Sequence, residues 1–163
     1  MFPAEDGDDP ANPIVPAGVH LAPLWRRVLG LLIDQVLITV PVLVGAVLIG
    51  TPAADIVEGN SVAFWVGVVM TSAALLYETV CVWRGGRTLG KLICGTRVVH
   101  VADGGSVPFS AALIRALVPA AFSVIPAVGQ FLGFAVYLLA FFDQRRQGLH
   151  DKAAGTLVGL KAG

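Results

Sequence analysis

The sequence predicts an all-α membrane protein: two transmembrane helices, a Pro-broken helical hairpin and a small cytoplasmic β element. Three observations carry that expectation. Apolar residues make up 56% of the 163 and charged residues only 13%, about half the charge of an average soluble domain. No Lys or Arg occurs between Arg27 and Arg84. Inside that gap lie two apolar runs, each as long as the about 20 helical residues that cross a hydrocarbon core. The same composition excludes a disordered chain. Eleven basic residues against eleven acidic ones leave no basic field for nucleic acid.

Residues 1–20 read as a disordered cytoplasmic tail ahead of a membrane domain over 21–163. The tail holds Glu5, Asp6, Asp8, Asp9 and several prolines, so it has no apolar face to bury. It lacks the basic and apolar regions of a signal peptide. The first helix is expected over about 24–50, interrupted only by Arg26, Arg27, Asp34, Gln35 and Thr39, and the second over 62–83, with Glu78 as its one charge. Lipid cannot satisfy an open backbone, so both runs must be helical. Residues 51–61 read as a short loop with two acids and no basic residue. Arg26 and Arg27 precede the first helix, and Arg84, Arg87, Lys91 and Arg97 follow the second. The positive-inside rule then places the N-terminus in the cytoplasm and the 51–61 loop outside. Trp25 and Trp83 suit interfacial anchors at the cytoplasmic ends.

Beyond residue 84 the pattern changes. Leu89–Cys94 reads as a short interfacial helix, Arg97–Val101 as a strand, and Ala102-Asp103-Gly104-Gly105 as a tight turn. Helical segments follow at about 110–122 and 127–142, separated by the disruption that Pro119 and Pro126 bring. Each is shorter than a full crossing. A hairpin returns the C-terminus, with Arg145, Arg146, Lys152 and Lys161, to the cytoplasm; one straight helix puts it outside. The hairpin is favoured, and Thr156–Leu160 can then pair with the 97–101 strand.

Few charges remain at membrane depth. Asp34 lies seven residues past Arg27 and Glu78 six before Arg84, so both carboxylates sit about 9–10 Å deep in the cytoplasmic half. Buried acids at such depth face a partner, a cavity or the bundle interior. Arg27 and Asp34 share a face, but helical side chains lean toward the N-terminus, which draws Arg27 away from Asp34. Arg115 is therefore the expected partner of Asp34 or Glu78, and Asp143 or Asp151 that of Arg27. Two readings follow: an ion or proton site, or a structural clamp.

Other motifs carry less. Gly85-Gly86-Arg87-Thr88-Leu89-Gly90-Lys91 begins like a phosphate-binding loop, but Leu92 stands where a magnesium-holding hydroxyl belongs. Its basic residues suit anionic lipid head groups instead. Cys81 and Cys94 are not spaced as a redox pair, and His20, His100 and His150 lack metal-ligand spacing. No cofactor, metal or catalytic constellation is expected, so the chain does not read as an enzyme.

Three ordered blocks then resemble the RDD family of bacterial membrane proteins: Arg27 through Asp34; Gly86-Arg87-Thr88-Leu89-Gly90-Lys91 with Gly95-Thr96-Arg97-Val98-Val99; and Arg145 through Thr156. Arg115 looks like the arginine that follows the family's polar segment. The resemblance runs from about Leu24 to Leu160. It implies a bacterial plasma-membrane protein and places Arg27, Asp34 and Asp151 in the functional set. It also implies transport of an unidentified ligand, some relatives looking like sodium/proton antiporters. Glu78 is not among the residues that name the family. A bundle this small would need to oligomerise to enclose a wide path, so the transport reading expects a homo-oligomer. The competing reading is an accessory or scaffold protein in which Asp143, Arg145, Arg146 and Asp151 lock against Arg27.

Overall fold

A computed structural model describes residues 15–57, 61–123 and 129–160. Helix α1 spans Leu24–Leu48 and α3 spans Ser61–Gly85. By length and composition both can cross a membrane. They expose Val36, Val40, Val44 and Val47 on α1, and Val69, Leu76 and Val80 on α3, an apolar exterior that water would not stabilise. The segment expected as a loop carries a short helix, α2, Ala53–Val57; residues 58–60 lie outside the described residues.

Helix α4 spans Leu89–Ile93 and begins at Thr88, whose hydroxyl accepts from the Lys91 amide as an N-cap. Strand β1 is Thr96–His100, one residue earlier than expected. Helix α5 covers Phe109–Ser123 and α6 covers Gly129–Leu138, followed by a 3₁₀ turn at Leu139–Phe141. Pro119 does not end α5. It leaves a helical carbonyl bond unformed only on its own N–H side, and the Ser123 hydroxyl donates to the Pro119 carbonyl at 2.8 Å. The expected break at Pro126 lies outside the described residues.

The favoured hairpin, not one straight helix, is what forms. Helices α5 and α6 pack against each other, and the chain returns to a helix the sequence reading missed, α7, Leu149–Ala154. Gly155 ends α7 in the left-handed region at φ 60°, where a glycine carries no steric penalty. Strand β2, Thr156–Leu160, then pairs antiparallel with β1, Val98 opposite Val158.

Of the segment read as a tail, residues 1–14 lie outside the described residues. Residues 16–19 form a turn, the His20 carbonyl accepts from Leu160, and Ala22 donates to Val158. The buried apolar core sits at this sheet-bearing end: Ala22, Val82, Val98, Ala112, Ala154 and Val158. Trp83 of α3 meets Phe109 of α5 edge-on at 5.4 Å, and Tyr137 of α6 meets His150 of α7 at 4.3 Å. The polar groups of the bundle collect just above this core.

Candidate functional site

Asp34 lies on the inner face of α1, opposite α4. The two helices touch through glycines. A Cβ on Gly90 would overlap the Gly30 carbonyl and stand 2.8 Å from the Asp34 carboxyl carbon. That closeness lets the Gly90 amide donate to Asp34 Oδ1 at 2.8 Å. Tyr77 of α3 donates to the same oxygen at 2.8 Å, and Thr88 donates to Oδ2 at 2.5 Å. Lys91 Nζ stands 3.9 Å from Asp34 Oδ2 and 3.6 Å from Glu78 Oε1. Asp34 is only 6% exposed, yet its charge has three donors and a nearby cation, as a buried carboxylate requires.

A second group lies toward α7. Arg115 of α5, 2% exposed, directs Nε to Glu78 Oε1 at 3.2 Å and Nη1 to Asp151 Oδ1 and the Thr156 hydroxyl. Asp151 Oδ2 accepts from the Gly148 amide at 3.2 Å, so the residue also caps its own helix. The Thr156 hydroxyl donates back to Asp151 Oδ1 at 3.3 Å, and Gln147 donates to the Thr156 carbonyl at 2.8 Å. Arg27 reaches the Val158 carbonyl at 2.6 Å, the Arg146 carbonyl, and Asp151 Oδ2 at 3.8 Å. This group ties α1, α5, α7 and β2 together.

The sequence-derived set is therefore split. Glu78 joins the two groups, touching both Lys91 and Arg115. Arg115 meets Glu78 rather than Asp34, and Arg27 meets Asp151. Asp143 pairs with Lys152 at 2.5 Å and accepts from the Arg145 and Gln147 amides, and its charge also acts on Arg27. Burial alone would raise its pKa, but the Lys152 and backbone donors hold it below the usual carboxylate value. The turn after the 3₁₀ segment aims Asp143 forward along the chain, toward Lys152 of α7, while Arg27 reaches two carbonyls through Nη1 and Nη2 and leaves Nε without a hydrogen-bond partner.

A cavity of about 150 Å³ opens beside the first group, between α1, α3, α5 and α6. Asp34, Glu78, Lys91, Tyr77 and Thr88 line its charged end; Gln35, Thr39, Thr71 and Ser123 add polar atoms further along, among apolar Leu31, Ile38 and Leu75. Tyr77, Thr88 and Lys91 were not anticipated as site residues. Among the described residues no group of three His, Cys, Asp or Glu side chains is placed to hold a metal ion. Cys81 and Cys94 are free thiols, and burial pushes the Cys94 thiol up.

The model of the RDD family matches residues 21–155. The chain belongs to the RDD family. No curated protein and no solved structure matches it. Family membership and the two exposed apolar helices together are consistent with a membrane protein. In this RDD chain the three residues that carry the family resemblance occupy both groups: Arg27 and Asp151 at the sheet-side network, Asp34 at the cavity.

Proposed function

We propose that this RDD protein is a non-enzymatic, multi-pass plasma-membrane protein that moves a small cation or solute through the cavity between α1, α3, α5 and α6. The observation that carries the reading is the cavity itself, with Asp34, Glu78 and Lys91 on its wall inside an otherwise apolar bundle. Charges at such depth are costly and are retained where they meet ions or substrate. A volume of about 150 Å³ is room for several waters, which suits a hydrated monovalent ion or a small solute. In this reading Arg27, Arg115 and Asp151 hold the cytoplasmic end closed, while Asp34 and Glu78 face the ligand.

Two further features support the membrane setting. Arg26 stacks on Trp25 at 5.2 Å and Arg84 on Trp83 at 5.6 Å, and α4 exposes Leu89, Leu92 and Ile93 beside them. Aromatic, basic and apolar groups at one level suit anionic lipid head groups. A second copy of the chain would widen the path.

The accessory or scaffold reading has its own support: the Arg27–Asp151–Arg115 group ties α1, α5, α7 and β2 together, as a clamp would. Flux in sealed proteoliposomes separates the two. Transport predicts gradient-driven cation flux by the purified protein that is lost in Asp34→Asn, while the variant still folds. Absence of flux across a broad panel of cations and small solutes, or full flux in Asp34→Asn, would sink it.

A further inference from the structure

Helix α4 has two unlike faces. Its inner face meets α1: Gly90 and Thr88 donate to Asp34, and Lys91 stands near both Asp34 and Glu78. Its outer face presents Leu89, Leu92 and Ile93, each more than half exposed. Their spacing of three and four residues puts them on one side only while the segment is helical. Trp25, Leu29 and Leu32 are exposed on α1, so both helices offer apolar surface. Basic groups stand at both ends of α4. Arg26 of α1 reaches the Cys94 carbonyl that closes it, at 3.5 Å. Ahead of it, Arg87 precedes the Thr88 cap, and the exposed Arg97 of β1 lies across Gly86, its Nε 2.9 Å from where a Cβ would stand. No acidic residue occurs over 10–33 or 79–102. Among the described residues none of these three arginines forms an ion pair. A second copy of the chain fits this surface poorly, because a two-fold contact sets the same arginines against each other. Anionic phospholipid accepts both features at one level: apolar side chains below the head groups, guanidinium groups among the phosphates.

We propose that α4 is an anionic-lipid contact that regulates the cavity: phospholipid head groups held by Arg26, Arg87 and Arg97 seat Leu89, Leu92 and Ile93 in the membrane and so keep Gly90, Thr88 and Lys91 against Asp34. The inference rests on the membrane setting proposed above and adds regulation of the same site. Such coupling needs a ligand that binds one of two states better. A five-residue helix is marginal by itself, so α4 has a docked and a released state. Docked on α1, it aligns the apolar triplet between Arg26 and the Arg87–Arg97 pair. Released, it loses both the shared face and Arg26. Lipid therefore favours the docked state, and by linkage whatever weakens docking weakens lipid binding by the same factor.

The test follows amide hydrogen exchange over residues 88–94 of the purified full chain in nanodiscs of phosphatidylcholine, alone or mixed with phosphatidylglycerol. Phosphatidylglycerol should slow exchange across α4, and high salt should weaken the effect. Glycerol phosphate dissolved around phosphatidylcholine discs should not slow it. Arg26→Gln combined with Arg87→Gln should lower the retention of labelled phosphatidylglycerol about fivefold per arginine and remove the slowing; any purely structural effect of that variant shows already in phosphatidylcholine alone. Gly90→Ala, which forces α4 away from α1, should weaken lipid retention too. Equal exchange in both discs, slowing by soluble glycerol phosphate, slowing that survives loss of both arginines, or unchanged lipid retention in Gly90→Ala overturns the proposal. Flux does not enter these measurements, so lipid-dependent exchange in a chain without flux overturns transport alone. A chain that does not stay embedded in the discs overturns this contact and the membrane setting together.

Discussion

Asp151 accepts from Arg115 on one oxygen and from the Gly148 amide on the other, and Arg27 lies 3.8 Å from the second. Removing its charge leaves Arg115 buried with Glu78 as its remaining carboxylate. Breaking one partner of a buried ion pair costs about 3–5 kcal/mol, so Asp151→Asn should lower thermal stability in detergent by several degrees or prevent folding. Replacing the pair together, Arg115→Met with Asp151→Leu, should recover only part of that loss: the buried guanidinium no longer lacks its partner, but Glu78 and Arg27 each lose one and α7 loses its cap. Equal destabilisation by the single and double variants would contradict the clamp. His150 supplies a pH dependence. It is 2% exposed; burial, then Arg115, Lys91 and Arg27, hold it well below the ordinary histidine value of 6.5, with the Val136 carbonyl opposing. The folded state thus keeps a neutral imidazole where the unfolded chain takes up a proton. Its contribution is complete above about pH 6.5 and falls as pH drops below that value, by at most about 1.4 kcal/mol per pH unit. Denaturation midpoints measured from neutral to mildly acid pH should show this slope in wild type and a flatter one in His150→Gln.

Helix α4 is five residues long, too short to be stable alone, and it is held by its contact with α1. The Gly30–Gly90 approach sets that contact, and the same approach delivers the Gly90 amide to Asp34. Gly90→Ala should therefore destabilise the fold by about 1–3 kcal/mol, the usual effect of overpacking, and displace Asp34 from its donors. Thermal unfolding combined with the proteoliposome flux measurement would show both losses; unchanged flux would mean that α4 does not position the site. This element also marks the limit of what the sequence could tell. The long helices α1 and α3 were readable because their apolar residues run over many turns, as a membrane crossing requires, and Asp34 and Glu78 stood out as exceptions to that rule. Lys91 did not stand out. It lies in a basic stretch that reads as a lipid-facing collar, and the helix inverts the usual pattern: Leu89, Leu92 and Ile93 point outward while Gly90 is buried. Only the close approach to α1 reveals that inversion. Tyr77 was hidden for a related reason, since one hydroxyl on an apolar helix is an ordinary membrane residue. Helix α7 has six residues and no apolar periodicity to declare it; what forms it is the Asp151 cap and the Gly155 stop.

All four longer helices bring one end to the sheet. Helix α1 starts beside Ala22, which bonds to Val158, α3 ends at Trp83 against Phe109 of α5, and α6 returns through Tyr137 to His150. This arrangement constrains topology more tightly than charge counting. Strand β1 follows α3 and β2 follows α6, yet they pair residue by residue from Thr96 with Leu160 to His100 with Thr156. A hydrogen-bonded pair cannot straddle a bilayer, because its strands would lie on opposite sides of about 30 Å of hydrocarbon. On the membrane reading proposed above, the segment after α3 and the segment after α6 share one compartment, and the α5–α6 pair enters and leaves on the same side. The start of α1 belongs there too, since His20 and Ala22 bond to β2. Basic residues Arg26, Arg84, Arg87 and Arg97 cluster at this end, and by the positive-inside rule we propose that it is the cytoplasmic end. Reporter fusions in intact cells test the whole arrangement. A cytoplasm-active reporter should work at both the N- and the C-terminus, and a reporter active only outside should work when inserted between α2 and α3. An external C-terminus with an internal N-terminus would require the β1–β2 pair to separate, and would overturn this arrangement of the bundle together with the cytoplasmic position of the charge network it encloses.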